Sequence, residues 1–310
     1  MLPTPPSSDN GSPVAFLLSS IEDYVFFIVP ERAAELHQLV HDLGITFAES
    51  SGETRFIFRA YPGSKRILYS IYAVEVLWVV SYTAWLYYLE RDQGEVDTDG
   101  NNPLGQAKRL LLWVFRDRRD DPTGPWPNHL PKPCMSPHAA SVIDVANEIT
   151  AVAIAWILHH EVSHIKLGHT DSPFIPPALS KQQERDADKE ATEYILPGAA
   201  GRVARSKRAL GIAIATITMV AIDLERHSFA SPTHPESYSR VVACLDTQHL
   251  VEEHDAVRHV ACIMLKLLLH AFDIPTPNVP YDAPMDCVND LAYLMSRLSW
   301  CNGRHAWLAE

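Results

Sequence analysis

The sequence predicts an α+β fold that is mainly α. Three observations carry this: long apolar segments bounded by helix-start and helix-stop signals, one short alternating stretch closed by a turn, and a second half whose patterned segments read as helices. At 310 residues the chain has room for two lobes. Hydrophobic residues at 47% and charged residues at 21% fit a folded globular chain and exclude disorder as the overall state. The formal charge of −12 argues against a phosphate-tracking surface, so nucleic acid is not expected as a partner.

In chain order, residues 1–13 are rich in Pro and Ser and lack the basic start and apolar stretch of a signal peptide. They read as a flexible tail, and the expected address is cytoplasmic. Residues 15–44 mix apolar and charged positions as one strand and one helix would. Residues 54–60 run through Arg55, Phe56, Ile57, Phe58 and Arg59 into the turn-former Tyr61-Pro62-Gly63-Ser64, which predicts a strand. Residues 67–89 are apolar or aromatic for most of their length and long enough to span a bilayer. Glu75 lies near their centre, where a carboxylate in lipid costs at least a few kcal/mol, on the order of 3. The charged stop sequence at 90–94 follows, so a buried helix is expected and membrane association is not. Residues 106–117 suggest another helix. The Pro-, Asp- and Arg-dense stretch 118–137 separates an expected helix-rich N-terminal lobe, 14–135, from a helical catalytic region, 136–310.

Ser141 with Asp144 resembles a capping box opening a helix over 142–167, with Gly168 as its stop. Its 149–158 segment is apolar on all sides and belongs in the interior. A Pro-rich connection at 171–179 leads to a second capping box, Ser180 with Gln183, and a helix ending at Pro197-Gly198. Residues 203–226, 251–272 and 288–298 complete the helical set. The five cysteines, at 134, 244, 262, 287 and 301, contain no C-x-x-C pair, so neither a disulfide framework nor a thiolate zinc site is indicated, and a reducing compartment fits.

Histidine is abundant, at 15 copies. His160-Glu161-Val162-Ser163-His164 is an H-E-x-x-H motif inside the buried helix. Two histidines at i and i+4 share a helix face and reach one ion, while Glu161 is turned aside toward a water molecule. A zinc site needs a third protein ligand. His169, just past Gly168, misses the metzincin spacing and reads better as a solvated histidine. Glu184 in Glu184-Arg185-Asp186-Ala187-Asp188 is the stronger candidate. Asp188, at i+4 from it, is placed to orient a ligand imidazole.

A third element is Thr233-His234-Pro235-Glu236-Ser237-Tyr238-Ser239-Arg240-Val241. The ordered trio of H-E-x-x-H, E-x-x-A-D and T-H-P-x-x-x-x-R-[IV] resembles the gluzincin zinc metallopeptidases of the Ste24/HtpX type over residues 141–242. A cytoplasmic chain of this size with a helix-rich N-terminal lobe is also similar to the phage-exclusion peptidases of the Lit type, a family that cleaves elongation factor Tu. The resemblance implies a zincin-like core in which His160, His164 and Glu184 bind zinc and Glu161 is the general base. It further implies that Asp188 supports a ligand histidine, His234 lies near the substrate oxyanion, and Arg240 forms a supporting ion pair. Membrane members of the family carry clear spans, and a glutamate where this chain has Asp186.

The expected reaction is zinc-dependent hydrolysis of a polypeptide with a narrow or regulated substrate range. Tyr238 is the substitute candidate for oxyanion stabilisation, and the strand near Phe56–Phe58 is an edge on which an extended substrate can pair. The alternative is a non-catalytic interaction module with structural zinc, which a closed fourth ligand such as His169 would mark.

Overall fold

The structure, a computed structural model, describes residues 12–18, 21–50, 53, 55–90, 102–121, 124–170, 172, 174–198, 201–226, 231, 233–246, 255–275 and 284–300. Residues 1–11 of the expected tail and Cys301 lie outside the described residues.

The fold is mainly helical with one small sheet. Residues 15–44, expected as a strand and a helix, are helical: α1 (Ala15–Leu18), α2 (Ile21–Phe27), a 3-10 turn and α3 (Ala33–Leu43). Gly44 at φ 66° stops α3 in the left-handed conformation that a Cβ disfavours. The strand then comes after the glycine, as β1 (Thr46–Glu49). β2 (Phe58–Tyr61) and β3 (Arg66–Tyr69) pair antiparallel around the Pro62–Lys65 turn, and β1 joins β3 in parallel, giving the order β1-β3-β2. β2 is therefore an edge strand.

The hairpin takes the start of the apolar run at 67–89, and α4 (Ile71–Glu90) takes the rest. α4 is apolar all round, so no face of it prefers water, and it runs through the core. Its Glu75 is 0% exposed and is paired. Both Arg118 contacts, from Nε and Nη2, are 2.7 Å, and the Ser12 hydroxyl donates at 2.6 Å. Arg118 comes from α6 (Asp117–Asp120), which follows α5 (Pro103–Phe115), so the expected loop begins with a turn of helix that supplies the counter-ion.

α7 (Val142–Lys166) is the central helix, packed against α4, α9 (Arg202–Glu225) and α8 (Pro177–Ile195). The Ser141 hydroxyl accepts from the Asp144 amide, as an N-cap does. By length and composition α7 could cross a membrane, yet 61% of its most apolar stretch is buried inside the fold. α9 approaches so closely that a Cβ on Gly211 would lie 2.3 Å from the Val152 side chain.

The second capping box does not form. α8 begins earlier, at Pro177, whose fixed φ and missing N–H suit the first helical position. Ser180 is inside the helix, and its hydroxyl donates to the Thr233 carbonyl at 2.8 Å. α10 (Ser237–Asp246), α11 (Asp255–Ala271) and α12 (Pro284–Trp300) close the fold. Cys262 on α11 and Cys287 on α12 form a disulfide, a pairing that the wide cysteine spacing did not suggest. One hydrophobic cluster runs from Val14 to Met295 across the expected lobe boundary.

Candidate metal centre

α7 and α8 supply the centre. His160 and His164 project from the last turns of α7 with their Nε2 atoms 3.0 Å apart. Glu184 reaches in from α8, its carboxylate oxygens 3.4 Å from His160 Nε2 and 3.5 Å from His164 Nε2. A tetrahedral ion bound at roughly 2.0–2.2 Å holds its ligand atoms about 3.3–3.6 Å apart, so this triangle is near the size a zinc ion requires. Two imidazole nitrogens and a carboxylate also suit zinc chemically. The three residues therefore fit a metal, and among the described residues this is the His/Cys/Asp/Glu group that does.

Charged residues pack directly around this trio. Asp188 is buried, with one oxygen 2.9 Å from His160 Nδ1 although off the line of a straight hydrogen bond. Both its oxygens, including the one facing His160, accept from the Arg240 fork on α10, at 2.8 and 2.6 Å. Burial opposes the charge on Asp188, but Arg240 and His160 outweigh it and hold its pKa below the usual carboxylate range. Burial likewise opposes a charge on His160, but Asp188 and Glu184 raise its pKa to about 10. Burial and the charge of His160 push His164 down to about 3. In the metal-free protein the two carboxylates thus favour the protonated form of His160.

Glu161 is buried at the same site and points to β2, where its carboxylate accepts the Ala60 amide. Burial raises its pKa to about 7 against the lowering pull of His160. His234 is brought in by its loop, which is pinned to α8 by the Ser180–Thr233 bond and by Lys181–Glu236 at 2.9 Å. Its Nε2 lies 3.5 Å from Glu184, and its side chain is 55% exposed. His169 lies 3.0 Å from the far nitrogen of His164, Nδ1, and outside the ligand group. Tyr238 packs partly buried against the core and does not line the cleft. His159, next to the motif, is a satisfied core histidine: buried, 2.9 Å from the Val25 carbonyl, with burial lowering its pKa to about 4.

The cleft over the centre has a volume of about 320 Å³. Phe56 and Phe58 line it, along with Trp156 and Ile157, one turn before the first ligand. Its far wall is a stripe on α9, Met219, Ile222, Asp223 and Arg226. Sequence reasoning took that helix as core and missed the stripe. The available signal was Asp223 and Arg226 continuing the i, i+3, i+4, i+7 spacing of the apolar face.

The chain is 31% identical over 303 residues to the cell death peptidase of Escherichia coli (strain K12), covering 93% of this chain and 99% of that protein. No solved structure matches it. Residues 67–261 match the family Peptidase U49, a span that runs from β3 into α11 and contains both metal-site helices and the His234 loop. With more than half its length so matched, the chain belongs to the Peptidase U49 family and is a peptidase.

Proposed function

We propose that the protein is a zinc-dependent endopeptidase with a zincin-like core and a narrow or triggered substrate range. The observation that carries this is the His160, His164 and Glu184 triangle with a buried carboxylate, Glu161, beside it. Zinc held there supplies a Lewis acid, which lowers the pKa of water from about 16 toward about 7 and polarises the scissile carbonyl. Glu161 takes a proton from the attacking water and delivers it to the leaving amine, a role suited to a carboxylate whose pKa burial has raised to about 7.

His234 stands on the open side of Glu184, where its N–H can donate to the developing oxyanion. Its Nδ1 lies 2.8 Å from the Thr233 hydroxyl, which holds the half-exposed ring with Nε2 toward Glu184. Asp188 and Arg240 hold His160 in its ligating orientation. The substrate is a polypeptide, docked as an added strand along the β2 edge with a side chain in the cleft between Trp156 and the α9 stripe. A relative named for cell death supports a restricted target, because unrestrained cleavage would harm the cell that makes the enzyme.

The non-catalytic reading needs a closed fourth ligand, and its nearest candidate, His169, is turned to the far side of His164. The test is chelation. Cleavage of proteins in a cell extract stops when zinc is removed and returns with stoichiometric zinc; cleavage that survives full metal removal excludes the proposal.

A further inference from the structure

Each ligand imidazole has two nitrogens, and only one can face the ion. For His160 the outer nitrogen, Nδ1, meets Asp188. For His164 it meets another histidine: Nδ1 of His169 lies 3.0 Å from Nδ1 of His164, with the rings edge to face at 74°. The local backbone produces this contact. Gly168, at φ +67°, reverses the chain at the end of α7, and the His169 amide then donates to the His164 carbonyl at 2.9 Å. The turn returns the His169 ring to the ring it has just passed.

We infer that His169 is a positioning residue of the metal centre, its Nδ1 lone pair accepting the Nδ1–H of His164 and so fixing the tautomer that presents Nε2 to the ion. The inference rests on the metallopeptidase reading above and adds a residue to it. The proton count allows one solution. A neutral imidazole has one N–H, and a ligand that binds through Nε2 must keep its proton on Nδ1. A neutral His169 accepts that proton's hydrogen bond through Nδ1, so its own proton is on Nε2. The reverse donation would put the His164 proton on Nε2 and block ligation. His164 Nε2 is the atom that faces His160 and Glu184, so His169 is on the wrong side of the ring to be a third ligand. The outer partner of His160 comes from α8 and that of His164 from the turn after α7. Each ring thus has a neighbour at its outer nitrogen, Asp188 for His160 and His169 for His164.

The experiment compares wild type with His169→Ala and His169→Asn, the latter keeping a side-chain carbonyl that can accept. Zinc dissociation constants are read by competition with a chromophoric chelator. Ring ¹⁵N shifts of His164 are read in the metal-free protein, and circular dichroism checks that each variant is folded. The expected result is a zinc affinity about 10- to 100-fold weaker in His169→Ala, largely restored in His169→Asn. The ¹⁵N shifts should show His164 protonated on Nδ1 in wild type and a mixed tautomer in the alanine variant. Unchanged affinity together with an unchanged tautomer overturns the inference. So does the loss of one histidine from a cobalt-substituted spectrum, which would make His169 a ligand. If wild type binds no zinc, the metallopeptidase reading fails instead. The wild-type ¹⁵N shifts then still decide the tautomer, even if both variants fail to fold.

Discussion

His160 faces two opposing demands in the metal-free protein. Burial disfavours its charge, yet Asp188 and Glu184 raise its pKa to about 10. A raised folded-state pKa contributes stability that is fully present below the unfolded value near 6.5 and is lost as pH rises through about 10. The metal-free protein should therefore lose melting temperature between pH 6.5 and 10, while the zinc-loaded protein, whose ion replaces that proton, should not. Melting curves of both forms across that range check this, and parallel profiles would count against it. Arg240 sets a second residue-scale prediction. Its fork on Asp188 is buried, so Arg240→Met leaves a buried carboxylate short of its partner, at a cost of about 3–5 kcal/mol in chemical denaturation. Lysine should rescue it only in part, because it cannot reproduce the two-pronged contact. The pairing of His160 with His164 was readable in the sequence because i, i+4 spacing puts them on one face of α7, whereas Glu184 was expected from the motif order and reaches them only through the packing of α8 on α7. The position of His234 was not, since only the tie of its loop to α8 through Ser180 and Lys181 brings it in.

At the scale of elements, α4 and α9 show where patterning misleads. An apolar run says that a segment is buried but not where a strand gives way to a helix, so residues 67–69 read as helix while they pair in β3. A start signal such as Ser180 with Gln183 loses to an upstream Pro177, which starts the helix sooner. The Glu75–Arg118 pair explains how α4 keeps a carboxylate in the core. Glu75→Gln should destabilise the fold by about 3–5 kcal/mol by stranding Arg118, and the double change to Glu75→Leu with Arg118→Leu should cost less than the single one. Urea unfolding of the three proteins measures this, and a harmless single variant would show the pair to be incidental. The contact of α7 with α9 depends on Gly211. Gly211→Val should push the helices apart, costing about 1–3 kcal/mol and weakening zinc binding along with stability. A variant as stable as wild type would mean that the helices can separate without cost.

For the whole molecule, the mainly helical α+β class was legible because the capping and stop signals of α7 survive in the fold: Ser141 at one end, Gly168 at the other. The packing of the sheet onto α7 was not legible. No local pattern says that Ala60 on β2 will meet Glu161, and only the tertiary fold joins the edge strand to that carboxylate. In the proposed function, that junction sets the strand edge offered to an extended substrate beside Glu161. In the proposed function Glu161 moves the proton at a metal held by its neighbours, and general acid–base groups typically contribute about 10²- to 10⁴-fold in rate. The direct measurement expresses wild type and Glu161→Gln in the same cells, quantifies zinc in each purified protein and maps protein fragments in each proteome. One zinc per chain is expected in both proteins, and specific fragments with wild type alone. Identical fragments from the two proteins, or a wild type without zinc, would contradict the proposed function.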